Sequence, residues 1–208
     1  MRLGRDVLAT TARLARIWRM AAVTPRAAAA PATGTAHRLE PGLYGQRVHP
    51  GKNGGAARGL NPTDRGKAGT KRHLLTDRNG LPLAFLLTGA NVHDSVPMAQ
   101  LLDAVMPVKG RRGKPRQRPG KLHADKAYDH RRCRLACRQR GIEPRIARRG
   151  VDSSERLGCH RWVVERTLAW LARMRRLSIL YERRPDIHYA FTSLACSLIC
   201  LNTLQGRF

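Results

Sequence analysis

The chain has 208 residues, 42% of them hydrophobic, so one full domain with a sizeable core fits within it. Its 40 Lys and Arg against 14 Asp and Glu leave a net charge of +26, a surface that repels itself unless a polyanion neutralises it. That balance excludes, as a first reading, a housekeeping role without an acidic partner. DNA or RNA is the commonest such partner and an anionic membrane surface the other candidate; no run of about 18 or more apolar residues is present to span a bilayer.

Residues 1–20 mix Arg with apolar side chains and suit a short basic amphipathic helix. Residues 21–36 are an Ala/Pro/Thr stretch without period, which reads as linker or disorder. From His49 to Arg72 the composition turns to Gly, Asn, Lys and Arg, a basic glycine-rich loop. Two apolar runs, His73–Thr76 and Leu81–Thr88, then flank Asp77-Arg78-Asn79-Gly80, and Asn-Gly between apolar runs predicts a hairpin. The spacing of Leu101, Leu102, Val105 and Met106 predicts a helix within Asn91–Pro107, with Asp94 or Ser95 as N-cap and Pro97 in its first turn. Residues 109–121 carry seven Lys or Arg and no acid, an exposed basic loop. There follow a strand at Lys121–Ala124, a basic helix at His130–Arg140 stopped by Gly141, and a strand at Pro144–Ala147. Long helices at Leu157–Leu177 and Asp186–Leu204 complete the chain. This order predicts an α/β layer with a mixed sheet flanked by helices.

The five cysteines, at 133, 137, 159, 196 and 200, include two pairs four apart. That is helical spacing and not the two-residue gap of a zinc knuckle, so they read as buried thiols in a reducing cytoplasm. Trp162 and Trp170, eight apart on one helix, read as core packing. His93 and Asp94 read as a helix N-cap beside a histidine and not as a metal pair. His123, two before Asp125 on a strand, shares its side and would line a site there.

Acidic residues are scarce, so their positions are informative. Asp125 follows the strand Lys-Leu-His-Ala, where α/β folds place catalytic or metal-binding carboxylates or, alternatively, a turn aspartate. Glu165 lies inside the long helix at the edge of its Val164, Leu168, Leu171 stripe, with Arg161 four residues before it; a surface ion pair is the plainer role. Together, a strand-end Asp, a helix Glu about forty residues later and a basic surface suit two-metal phosphodiester chemistry. That chemistry needs carboxylates converging on two divalent cations about 4 Å apart, with Lys and Arg holding the DNA backbone.

The segments NPTDRGKAGTKRHLLTDRNGLPLAFLLTGANVHDS, KLHADKAYDHRRCR, IARRG and HRWVVERTLAWLARMRRLSILYERRPDIHYAF occur in this order. They resemble a DDE transposase of the insertion sequence 5 group, with an insertion sequence 4-like transposase domain, over about Gly45 to Leu204. The resemblance implies an RNase H-like, retroviral-integrase-like core at residues 44–204, preceded by a non-family, disordered segment at 1–43. It implies DNA transposition: cleavage and strand transfer dependent on Mg²⁺ or Mn²⁺, on double-stranded DNA of transposon ends and target. The location it implies is a bacterial cytoplasm, at the nucleoid and off the membrane, and a homodimer is one assembly it allows. The family's second Asp falls on Asp125 and its Glu on Glu165, both catalytic and metal-binding. Arg161 matches the family's Arg four residues before the Glu. The related Tyr would be Gly158 here, and the later Lys would be Ala172, with Arg173 beside it.

The first catalytic Asp ends a strand in a stretch like Asp-Gly-Ser-x-Val. Here that stretch is Tyr44-Gly45-Gln46-Arg47-Val48, so Tyr44 stands at the degenerate catalytic position. The preceding segment carries Pro41 and Gly42, which predicts that the family's first strand is missing and the copy is truncated or decayed. A phenol with an ordinary pKa near 10 is a poor substitute ligand. Lys67, Lys71, Arg72, Lys126, Arg148, Arg149, Arg161 and Arg173 are the candidate DNA contacts, with the Arg175-Arg176 pair a further backbone contact. Three functions follow: an active transposase, a catalytically dead DNA-binding remnant, or a basic RNA-binding protein. The last is disfavoured by an aromatic content of only 5%.

Overall fold

The computed structural model describes residues 42–50, 58–62, 64–107, 114–151 and 155–206, without the side chains of 155–161. The expectations for residues 1–41, for the first part of the basic loop after Val108, and for Cys159 and His160 lie outside the described residues. Among the described residues six strands and five α-helices follow in chain order: β1 Gly42–Pro50, β2 Gly59–Leu60, β3 Ala68–Thr76, β4 Pro82–Gly89, α1 Met98–Asp103, β5 Lys121–Ala124, α2 Arg131–Gln139, β6 Glu143–Ile146, α3 Glu155–Arg173, α4 Arg175–Ser178 and α5 Pro185–Leu204. A 3₁₀ turn at Lys126–Tyr128 links β5 to α2.

The sheet is mixed. β3 and β4 form the expected antiparallel hairpin. Its turn closes because Asp77 Oδ1 accepts from the backbone N–H of Asn79 at 2.9 Å and of Leu81 at 2.8 Å, while Gly80 takes φ +87°, a conformation that favours glycine. β3 pairs antiparallel with β1, β1 pairs parallel with β5, and β5 pairs parallel with β6. The short β2 pairs with the first residues of β3. Pro144 sits in β6 at the sheet edge, where a missing N–H costs least.

The first strand is therefore present, contrary to the sequence-based expectation. It starts at Gly42, so Gly42 and Leu43 belong to the sheet, and it is hydrogen-bonded on both sides by β3 and β5. Its few apolar residues suffice because its neighbours supply the pairing. β3 is also longer than predicted, starting at Ala68 inside the expected glycine-rich loop. The predicted helix within 91–107 shortens to Met98–Asp103, with Pro97 at its cap position; neither Asp94 nor Ser95 caps it. Residues 157–177 divide at Met174, whose extended backbone separates α3 from α4.

Alternation along the strands splits the core in two. Tyr44, Leu75 and Ala84 face α1 and α2, joining Met98, Leu101, Tyr128 and Cys133. Leu43, Leu74 and Phe85 face α3 to α5, joining Val164, Leu168, Leu171 and Ile199. Each fully buried Leu contributes about 1.5–3 kcal/mol of transfer free energy. Cys133 and Cys137 lie buried on α2, and Cys196 and Cys200 on α5, all four as free thiols. Burial pushes the Cys196 thiol up to about 12 and Cys137 and Cys200 up to about 11, so all three stay protonated and unreactive. Although no unbroken apolar run marks it, α5 is long and apolar enough to cross a membrane, with mean hydropathy 1.4. Here its buried face, with His188, Ala195, Cys196 and Ile199, packs on the sheet.

Candidate active site

β5 ends at Ala124 and Asp125 follows directly, half-buried. Its Oδ1 accepts from the Lys126 backbone N–H at 2.6 Å and starts the 3₁₀ turn, so the carboxylate caps a turn and stands at a strand end at once. Tyr128 closes that turn and is buried. Around it Asp129 acts as a clasp. It accepts from Arg134 Nη2 at 2.6 Å and from the backbone N–H of Arg149 at 2.9 Å, and Arg134 Nη2 also donates to the Ile146 carbonyl. These bonds, the Arg149 amide first, hold the Asp129 carboxyl below the usual range. Arg149 Nε donates to the Lys126 carbonyl at 3.1 Å. The clasp thus gathers Lys126, Arg148 and Arg149 beside Asp125, and both arginines are exposed.

α3 lies against β1, β3 and β5 on the other flank. Its contact with β1 is close: a Cβ at Gly45 would stand 2.9 Å from both Val164 methyls. Glu165, the next residue, is exposed, as are Trp162 and Arg173. Arg161 lies in α3, with its side chain outside the described ones. Trp162 is not core packing as expected: it is 51% exposed. The Arg166 guanidinium stacks over Trp162 at 4.6 Å and over Trp170 at 4.8 Å, and its Nη2 donates to the Asn79 carbonyl at 2.8 Å.

Tyr44 goes the other way. Leu43 and Gly45 face α3, so Tyr44 faces α1 and α2, only 3% exposed. Its ring meets Tyr128 edge-on at 4.4 Å. Its hydroxyl lies 3.0 Å from His73 Nδ1, His73 Nε2 lies 2.8 Å from Thr88 Oγ1, and Thr88 donates to the Gly89 carbonyl. These partners assign one direction: Tyr44 O–H to His73 Nδ1, and His73 Nε2–H to Thr88. Burial lowers His73 to about 4 and raises the Tyr44 phenol far above its ordinary value. Both are neutral and satisfied.

Two expected DNA contacts are buried, Lys71 beside this network and Arg72 on the opposite side of the sheet. Lys71 Nζ pairs with Asp94 Oδ1 at 2.7 Å and donates to the Val92 carbonyl at 2.8 Å. Gln46 Nε2 donates to the other Asp94 oxygen. Asp94 is therefore the counter-ion of a buried lysine and not a cap. Arg72 is 0% exposed. It donates from Nη1 to His49 Nε2 at 3.1 Å and from Nη2 to the Leu177 carbonyl at 3.4 Å. Neither can reach a phosphate, because β3 is buried on both sides. Lys67 does remain exposed, beside Asp64 at 3.4 Å. The role of Asp94 carried no sequence signal; the alternation Thr70-Lys71-Arg72-His73, once read as strand, would have put Lys71 and Arg72 on opposite faces.

Asp125 and Glu165 thus come from elements that touch, α3 and β5, while Tyr44 belongs to the opposite layer. Among the described residues no group of three or more His, Cys, Asp and Glu is placed to hold a metal ion.

Residues 45–200 match the family model described as Transposase DDE domain. The chain belongs to that family: it is a DDE-domain transposase of an insertion sequence, a protein of DNA transposition and recombination, and such proteins generally use divalent metal ions. A curated relative from Burkholderia cepacia, named "Putative transposase for insertion sequence element IS402", is 48% identical over 205 residues, covering 99% of this chain and 97% of its own length. That alignment takes in nearly all of residues 1–43, which lie outside the span of the family model.

Proposed function

We propose that this chain binds double-stranded DNA of transposon ends and target on an RNase H-like catalytic domain spanning residues 44–204, and that this copy holds DNA without cutting it. The sheet supports the fold: an antiparallel β1–β3–β4 meander continued by parallel β5 and β6, with helices on both faces. Asp125 and Glu165 occupy the family's second and third carboxylate positions. The exposed cations Lys67, Arg148, Arg149 and Arg173, with the half-buried Lys126, form the backbone-binding surface; Arg161 lies in α3. In a cell such a protein works at the bacterial nucleoid, and a homodimer would bring two ends together.

One observation carries the loss of cutting: the Tyr44 hydroxyl is closed into the α1/α2 core on His73. A two-metal centre for Mg²⁺ or Mn²⁺ needs a carboxylate shared between the ions. The site offers two carboxylates and, at the first position, a buried, protonated phenol. Asp94 does not replace it, being held by Lys71 and Gln46. The donor set does not fit the ions.

Nicking of a supercoiled plasmid carrying the element's ends, in Mg²⁺, tests this. The unmodified chain shifts the DNA and leaves it uncut. Nicking by the unmodified chain that disappears in Asp125→Ala would overturn the reading. Nicking gained by Tyr44→Asp alone would confine the loss to one side chain.

A further inference from the structure

α5 is 20 residues long and begins at Pro185 without a side-chain cap. Its end carries partial positive charge, which the first-turn Asp186 partly offsets by accepting from the Ile187 backbone N–H. A small surface cleft with room for about one water-sized group opens there; Arg58, Arg183, Pro185, Glu182 and His188 are among its lining residues.

His188 is the buried wall of this cleft, 2% exposed. Its Nε2 lies 3.5 Å from Arg72 Nη2. A guanidinium only donates, so Nε2 accepts and the proton of the neutral ring sits on Nδ1. Burial, with Arg72 beside it, lowers His188 to about 4, which keeps the ring neutral. Nδ1 is then a buried N–H donor, and it has no partner among the described residues. Arg58 Nε is a second buried donor without a partner among the described residues, although its Nη2 is anchored on the Leu180 carbonyl at 2.9 Å. Arg72 Nε, behind His188, is a third. The nearby carboxylates are engaged: Glu182 by Arg176 at 3.3 Å, Asp186 by Arg184. The cleft therefore combines unpaired buried N–H donors with an excess of positive charge from Arg58, Arg72 and Arg183, which is the chemistry of an oxyanion site.

We propose that this cleft is a phosphate subsite, in which one oxygen of a DNA backbone phosphate accepts from His188 Nδ1–H and Arg58 Nε–H while Arg183 screens the remaining charge. The source of the phosphate rests on the DNA-transposition reading; the oxyanion chemistry does not. His49, which shares Arg72 with His188, lies five residues along β1 from Tyr44, about 17 Å at the rise of a strand. The subsite would grip DNA about five base-pair rises from the Asp125 end of the sheet.

The test uses the full chain and a short duplex carrying a transposon end, with affinity followed across a salt series. Arg183 is exposed, so Arg183→Gln leaves the fold intact, and Arg58→Gln is checked by thermal melting. Each substitution should weaken binding about 3- to 10-fold and lower the slope of log K against log salt by about 0.9, the loss of one phosphate contact. In parallel, inorganic phosphate is titrated while the ¹⁵N resonance of His188 Nδ1 is followed. A perturbation present in the unmodified chain and lost in Arg183→Gln, with unchanged DNA slopes, assigns the subsite to free phosphate. Unchanged slopes with no perturbation overturn the proposal. If the unmodified chain shows no salt-dependent DNA binding, the DNA reading fails, and the phosphate titration alone decides the cleft.

Discussion

β3 buries one cation on each side of the sheet, and the two are housed differently. Toward α1, Lys71 meets Asp94 at 2.7 Å, and the neighbouring Tyr44, His73 and Thr88 pass hydrogen bonds to a final carbonyl. Toward α5, Arg72 meets two neutral histidines and a carbonyl; among the described residues no carboxylate pairs with it and its Nε has no partner. The first network is balanced in charge and largely closed. The second holds an excess positive charge, and burial lowers Arg72 only to about 10, so it stays ionised at neutral pH. A closed network fixes structure; an unbalanced one of opposite sign to DNA is suited to take up an anion.

The largest expected effect is on both faces together. Burial lowers His49 to about 3 and His73 and His188 to about 4, while in the unfolded chain each titrates near 6.5. Between about pH 6.5 and 4 the unfolded state binds more protons, so stability is full above 6.5 and falls as pH drops. The slope is about 1.4 kcal/mol per pH unit for each histidine. Urea melts from pH 7 to 4.5 should show it; a flat profile would mean that these rings are hydrated and the contrast is not one of buried networks.

The two faces separate in the next experiment. Asp94→Ala leaves Lys71 buried and unpaired and should cost about 3–5 kcal/mol. Arg72→Met, of similar length, removes a charge that has no counter-ion and should cost about 1 kcal/mol or less, or even stabilise. Equal losses in denaturant melts would erase the distinction between a balanced and an unbalanced face. Tyr44→Phe removes only the hydroxyl that His73 accepts and should cost about 1 kcal/mol. Smallest is Arg166→Gln, which forfeits stacking on Trp162 and Trp170; about 0.5–1 kcal/mol should be lost, with a change in tryptophan fluorescence as Trp162 loses its cover.

Which of these features the sequence disclosed follows from where the information resides. The β3–β4 hairpin was legible because Asp77, Asn79 and Gly80 act locally, and the place of Asp125 because the alternating strand Lys-Leu-His-Ala ends immediately before it. α3 was legible through Val164, Leu168 and Leu171, all buried. β1 was not, since its pairing comes from β3 and β5, which are distant in sequence. Lys71 and Arg72 misled because cations are rarely buried, and only the strand's alternation with Asp94 and His49 as partners makes these two exceptions. Trp162 misled in the opposite sense: its apolar ring is covered by Arg166 in place of the core.

The place of β1 in the sheet also sets an order of events at the ribosome. β1 ends at Pro50, but its parallel partner β5 is complete only at Ala124. At ordinary rates of synthesis about 4–15 s separate the two. During that interval β1, β3 and β4 can already form their meander, leaving the β5 side of β1 an unpaired edge on a nascent chain. Translation pauses between these segments would lengthen that exposure, and the yield of folded protein should depend on how quickly the ribosome passes through residues 51–120.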